Sequence, residues 1–331
     1  MGRPHPISRR DFVRAASALV GLSPFAGADD PSRVRARAGS QVALVRTANR
    51  KDGVTRALRL LSLRPMTGQR IVLKPNFNSA DPAPASTHTD TLTQLVAELY
   101  ARGARDITLG ESSGPRRTRG VMEQKGVFDL ARACRFSVVD FETIADRDWA
   151  TFPAAGTHWP HGFALPRLVV DADYVVSTCC LKTHGAGGVF TMSLKLGVGL
   201  TPKSIRRTLH ASPDIRRMIA ELNTGYRPDL IVMDGVAAFT DGGPSHGELN
   251  AANVMVAGDD RVAVDAVGLA MLKSLGANRA IMERPIFAQE QIARAVELGL
   301  GAARPEQIEI VTGDEESQRV ADRLRAILAQ G

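Results

Sequence analysis

Several apolar runs in this chain end in a polar motif, and this repeated junction constrains the fold more than any other feature. Arg70-Ile71-Val72-Leu73 runs into Lys74-Pro75-Asn76, and Ile107-Thr108-Leu109 into Gly110-Glu111-Ser112-Ser113-Gly114. Tyr174-Val175-Val176-Ser177 leads through Thr178-Cys179-Cys180 to Leu181-Lys182-Thr183-His184, and Leu230-Ile231-Val232-Met233 meets Asp234-Gly235. Each run has strand length and the Val, Ile and Leu content of a strand buried on both faces. In open α/β sheets, ligands sit just outside the carboxyl ends of such strands. Lys74, Glu111, Lys182, His184 and Asp234 are therefore expected to converge on one site.

The rhythm between the runs predicts the fold class: an α/β protein with a mainly parallel sheet flanked by helices, in one or two lobes. A strand is expected at Gln41–Val45 and a helix over Gly53–Leu63. The next helix is capped by Thr89 or Asp90. Leu92, Leu95, Val96 and Leu99 form its stripe, and Gly103 stops it. A helix is expected from Ser212-Pro213, with Ser at the cap and Pro at its first position. Residues 145–165 read as a loop or irregular hairpin, and 240–248 as a loop long enough to act as a lid. Strands at Asn253–Ala257 and Ile308–Val311, each followed by a helix, close the chain.

Export is predicted by the amino terminus. Ser8-Arg9-Arg10-Asp11-Phe12-Val13 is a twin-arginine pattern, followed by a weakly apolar stretch and the small-x-small site Ala26-Gly27-Ala28. The expected organisation is a signal peptide over 1–28, a flexible linker over 29–39 and an α/β domain over 40–331. The twin-arginine translocase is then a partner during export to the periplasm. Residues 1–28 hold Arg3, Arg9, Arg10 and Arg14 against Asp11, so they account for three of the seven net positive charges. The remaining excess is mild. It suits small anionic ligands, and with 5% aromatic residues it leaves no nucleic-acid footprint. No run of about 18 apolar residues predicts a membrane span. Cys134, Cys179 and Cys180 form no CxxC pair, so no four-cysteine iron–sulfur cluster is expected.

The site residues divide by chemistry. Lys182 and Lys74 offer cations for a carboxylate or phosphate, or an amine of lowered pKa as base or Schiff-base former. His184 can shuttle protons or ligate a metal, and Glu111 is a general base or metal ligand on a glycine-flanked turn. That turn lacks the GxGxxG spacing of a dinucleotide site. Lys182, His184 and Glu111 are the catalytic candidates; Lys74, Asn76, His88, Ser112, Lys195, Asp234 and His246 are the ligand-binding ones. Each also has a plainer reading as strand terminator, cap, turn or solvated surface. Lys203, Arg206 and Arg207 read as a solvated helix face or an anion-capturing cluster. Asp265 lies in an apolar stretch and therefore needs a partner.

In their order and combination, Val72-Leu73-Lys74-Pro75-Asn76, Gly110-Glu111-Ser112-Ser113-Gly114, Leu181-Lys182-Thr183-His184, Thr191-Met192-Ser193-Leu194-Lys195, Met233-Asp234-Gly235 with Gly243-Pro244-Ser245-His246-Gly247, and Val262-Ala263-Val264-Asp265 resemble the family called domain of unknown function 362. Many of its members carry a ferredoxin-type cluster segment whose cysteines this chain lacks, and Leu196 stands where the family often has Asn. The family is distantly similar to the amino-terminal domain of nickel-pincer lactate racemases. That likeness implies a metal-organic cofactor and acid–base work at a hydroxy-acid carbon.

The expected function is that of an exported enzyme. It would act on a small anionic molecule by Lys/His/Glu acid–base chemistry, with or without a metal ion. The alternative is a non-catalytic metal- or cofactor-binding protein of a periplasmic redox pathway.

Overall fold

The structure, a computed structural model, describes residues 39–330. The expected signal peptide and nearly all of the linker lie outside the described residues. The chain runs through β1 (Ser40–Arg46), α1 (Arg50–Arg59), β2 (Arg70–Lys74), α2 (Thr89–Ala101), β3 (Asp106–Glu111) and β4 (Ser137–Asp140). A hairpin of β5 (Trp149–Phe152) and β6 (Phe163–Pro166) follows. The middle holds β7 (Tyr174–His184), β8 (Val189–Thr191), the single-turn α3 (Ser193–Leu196), α4 (Lys203–Ala211) and α5 (Ile215–Leu222). The last third holds β9 (Leu230–Gly242), β10 (Gly247–Asn250), β11 (Val254–Gly258), α6 (Arg261–Ser274), β12 (Ile308–Val311) and α7 (Glu315–Ala329).

The strands form a ten-stranded sheet in the order β12-β1-β11-β9-β7-β2-β3-β4, with β10 added to β9 and β8 to β7. The half of the sheet from β9 to β4 is parallel throughout. Only β11 runs against its neighbours along the main path. The fold is thus α/β with a mainly parallel sheet, and from Gly39 onward the chain is one compact unit.

Alternation along the strands makes two cores from one sheet. Val42 and Leu44 of β1 join Ile231 and Met233 of β9 in a core with α6 and α7. Ala43 and Val45 join Leu230 and Val232 in a core with α1 and α2 on the other face. This is the outcome of strands buried on both sides. A third cluster packs Val72 and Val175 against the β5–β6 hairpin and α5.

Several boundaries differ from those expected, each for a local reason. α1 begins at Arg50 because the Asn49 side chain accepts from Asp52 N. Gly53 lies inside this helix, where a Cβ would sit 2.8 Å from Thr47 Cγ2 and 2.9 Å from Met255 Cβ. His88, not Thr89 or Asp90, caps α2 through its ring. The Ser212 hydroxyl accepts from Asp214 N, and the helix starts only at Ile215. β7 continues to His184, so Lys182 and His184 are strand residues. β9 continues to Gly242, and the expected lid is the turn of a hairpin with β10.

Candidate functional site

The carboxyl ends of β2 and β3 and the extended tail of β7 meet α3 and α4 around a small cavity of about 50 Å³. Lys74, Glu111, His184, Lys195 and Arg206 supply its ionisable lining, and Asn76, Asn78, Ser112 and Thr191 its uncharged polar groups. Every one of these follows from its position at a strand end or on the cavity-facing side of a helix.

Lys74 and Glu111 form a buried ion pair, Nζ to Oε1 at 2.6 Å. The carboxylate also accepts from Phe77 N and Ser112 N, both at 2.8 Å, and Lys74 Nζ donates to Pro75 O at 2.6 Å. Burial pushes the Lys74 amine down, and Glu111 offsets part of that effect. Gly199 lids the pair: a Cβ there would stand 2.7 Å from Lys74 Nζ and 2.8 Å from Glu111 Oε1.

Lys195 is the opposite case. It is 8% exposed, yet no hydrogen bond or ion pair reaches its ammonium among the described residues. Burial pushes its pKa down to about 7, helped by the positive charges of Lys182 and Arg206. His184 stands beside it. Burial first, then Lys195, His210 and Lys182, push the imidazole down to about 2, so it is neutral at any ordinary pH. Its buried Nδ1 and the buried Thr191 Oγ1 have no hydrogen-bond partner among the described residues. A methyl group added at Gly188 would lie 2.8 Å from Lys195 Cε and 3.0 Å from His184 Nδ1, so the glycine keeps the space between them open.

Asp265 of α6 holds this arrangement in place. Its carboxyl oxygens accept from Ser193 N at 2.7 Å and Leu194 N at 2.9 Å, capping the single turn that carries Lys195. Burial pushes Asp265 up to about 7 against those two donors. This capping contact is the partner that an acid in an apolar stretch required.

The remaining expected site residues lie around the cavity without lining it. Lys182 is fully buried, and its Nζ donates to Ala85 O at 2.5 Å and Pro244 O at 3.2 Å. Burial pushes it down to about 8. Asp234 points to the opposite face of the sheet. There it accepts from Arg50 Nε at 2.8 Å and Thr91 Oγ1 at 2.6 Å, tying α1 and α2 to β9. His88 is occupied as a helix cap, its Nδ1 accepting from Asp90 N at 3.1 Å. His246 is exposed in the β9–β10 turn, where its carbonyl accepts from Gly243 N. The shared edge is real, but it has two faces, and a one-residue step in a strand decides which one a side chain meets.

Arg206 stands out from its basic cluster. It is 9% exposed and lines the cavity, whereas Lys203 pairs with Glu142 on the surface. Its guanidinium is fixed by Thr201 Oγ1, Thr201 O and Ser113 O, all uncharged. The spacing to buried Leu209, three residues on along α4, was the available signal. Among the described residues no three His, Cys, Asp or Glu side chains gather at metal-ligand spacing. With three cations around a single, already paired carboxylate, the residues present do not fit a metal ion. Among those residues, too, no helix is long and apolar enough to cross a membrane.

Fold and geometry together define a class: an α/β protein with a cation-lined cavity at the carboxyl edge of a mainly parallel sheet. Residues 71–270 match the family model described as Domain of unknown function (DUF362), and the chain belongs to that family. The chain is 29% identical over 206 residues to the thylakoid-associated protein sll1697 of Synechocystis sp., a match covering 60% of this chain and 62% of that protein, less than two thirds of its length. Among solved structures, the lactate racemase apoprotein of Thermoanaerobacterium thermosaccharolyticum aligns at a TM-score of 0.47 and 14% identity, over 70% of this chain and 57% of that one. A protein of Thermotoga maritima aligns at 0.40 and 14%, over 68% and 56%.

Proposed function

We propose that the cavity binds a small carboxylate or phosphate, and that Lys195 and His184 move protons on it. The observation that carries this reading is Lys195, a residue 8% exposed whose ammonium has no anionic or hydrogen-bonding partner among the described residues. Arg206, hydrogen-bonded to uncharged oxygens and in no ion pair among the described residues, adds a second cation at the same cavity. A buried cation is unfavourable unless paired, so a ligand anion would supply the missing partner.

The proton chemistry follows from the two side chains. Lys195, with a pKa pushed down to about 7, exchanges a proton near neutrality. His184 stays neutral and offers Nδ1 as acceptor or donor according to its tautomer. Lys74 and Glu111 hold the cavity floor as a preformed pair, and Lys182 braces the 85 and 244 segments. In this reading Lys195 and His184, rather than Lys182 and Glu111, touch the ligand.

Calorimetric titration with acetate, pyruvate and inorganic phosphate tests the proposal. Binding is expected to weaken as pH rises through about 7, where Lys195 loses its charge. Affinity that is unchanged in Lys195→Met would move the site elsewhere. We also propose that the chain is exported folded through the twin-arginine route; the residues supporting this are Arg9, Arg10 and Phe12.

A further inference from the structure

Three lysines are buried around the carboxyl edge, and the fold treats them differently. Lys74 is bound by Glu111 and Pro75 O, and Lys182 by Ala85 O and Pro244 O. Lys195 is left without a hydrogen bond or ion pair among the described residues, although it is only 8% exposed, against 1% for Lys74 and 0% for Lys182. Its place is nonetheless fixed. Asp265 caps the turn that carries it, and the absence of a side chain at Gly188 clears the approach to its Cε. Two buried polar atoms of the lining, His184 Nδ1 and Thr191 Oγ1, are also unpartnered among the described residues.

We propose that Lys195 is a nucleophile whose ε-nitrogen condenses with the carbonyl carbon of a small 2-oxo carboxylate in this cavity to form an imine. The inference rests on the anion-binding reading above and names the substrate class of that site. A carboxylate beside Arg206 would set the adjacent carbonyl carbon toward Lys195. The steps balance without any oxidant or reductant. The neutral amine adds to the carbonyl carbon, and the carbonyl oxygen takes up a proton to give a carbinolamine. That hydroxyl then leaves with a proton from nitrogen as one molecule of water, and a C=N bond remains. His184 Nδ1 and Thr191 Oγ1 are the groups placed to pass the proton from nitrogen to oxygen. Phosphate has no electrophilic carbon, so it would occupy the site without reacting. Burial supports the chemistry, because an amine titrating near 7 is substantially unprotonated at neutral pH.

The test is reductive trapping of the full chain with pyruvate and sodium cyanoborohydride, read by intact mass and peptide mapping. Calorimetric titration with pyruvate, without reductant, is run in parallel. The expected result is a single reduced adduct per chain on Lys195, formed faster as pH rises through about 7 and suppressed by inorganic phosphate. Lys195→Arg, which keeps a cation, is expected to bind pyruvate and lose the adduct, with thermal melts reporting its folding. If that variant does not fold, the wild-type peptide map decides alone. Pyruvate heat with no adduct, or with the adduct on another lysine, overturns the imine and leaves the anion site standing. Neither heat nor adduct overturns both.

Discussion

Lys195 is protonated at a cost that the other two buried lysines share with their partners, and pH therefore reads it out. Its folded pKa of about 7 lies below the ordinary lysine value of 10.5, so between those values the unfolded chain holds about one more proton at this site. Stability is expected to rise with pH across that window and to be lowest below about 7. Lys195→Met removes the penalty. The variant should be more stable than wild type near pH 6, and the gap should close above pH 10.5. Urea denaturation at a series of pH values measures this, and a gap that does not change with pH would mean that Lys195 is uncharged or paired throughout. The Lys74–Glu111 pair predicts the reverse behaviour. Glu111→Gln leaves Lys74 buried and unpaired, and should destabilise by roughly 3–5 kcal/mol. Lys74→Met combined with Glu111→Gln should recover part of that loss, because the second change removes the stranded charge. If the double variant is no more stable than Glu111→Gln alone, the pair is not the reason for the loss.

At the scale of elements, two short pieces of chain hold the site, and what fixes each of them was not legible in the sequence. The turn before β8 is a γ-turn centred on Val189, whose φ is 64°, with Phe190 N donating to Gly188 O at 2.7 Å. A β-branched residue in that region is strained by about 1–3 kcal/mol, and Gln291 holds the turn by donating from Nε2 to Gly188 O and Phe190 O. Sequence reasoning sees a glycine-rich stretch here, but the latch comes from about a hundred residues away. The same is true of α3, whose cap is Asp265 on α6. The acid's need for a partner could be read from its apolar surroundings, whereas the partner's identity required the fold. Asp265→Ala should leave two buried N–H groups unsatisfied, at about 1–3 kcal/mol each, and loosen Lys195. A guanidinium melt should give the loss, and calorimetry should show weaker anion binding in the protein that remains folded. Unchanged affinity would mean that Lys195 does not depend on this cap. Other elements were legible because packing and period agree in them: α2, β12 and α7 follow their apolar patterns. β7 and β9 outran their expected ends because they pair with β8 and β10, hairpin partners that no periodicity announces.

Over the whole molecule, the sheet order ties the two ends of the domain together. Among the described residues β1 is hydrogen-bonded only to β11 and β12, so it pairs with no other described strand until the last third of the chain exists. Strand polarity and the shared carboxyl edge could be predicted from the junctions of apolar run and polar motif. Which face each side chain takes could not, and so Asp234 was grouped with a cavity from which the sheet separates it. The topology also bears on export. In the proposed twin-arginine route, the translocase would carry a domain that closes only once residues 308–311 are in place. Ending the chain after Ala302 would remove β12 and α7, including Ile310, Val320, Ala321, Leu324 and Leu328 of one core. At about 1.5–3 kcal/mol for each of the larger side chains, the loss matches the whole stability of a typical domain, roughly 5–15 kcal/mol. The truncated chain is therefore expected to be unfolded and to stay inside the cell. The full chain carrying Arg9→Lys and Arg10→Lys is expected to be folded, as judged by protease resistance, and also to stay inside. Fractionation of cells expressing each form distinguishes the routes. Periplasmic protein from the double-lysine precursor would refute the twin-arginine assignment, and periplasmic delivery of the truncated chain would refute the requirement for a folded domain.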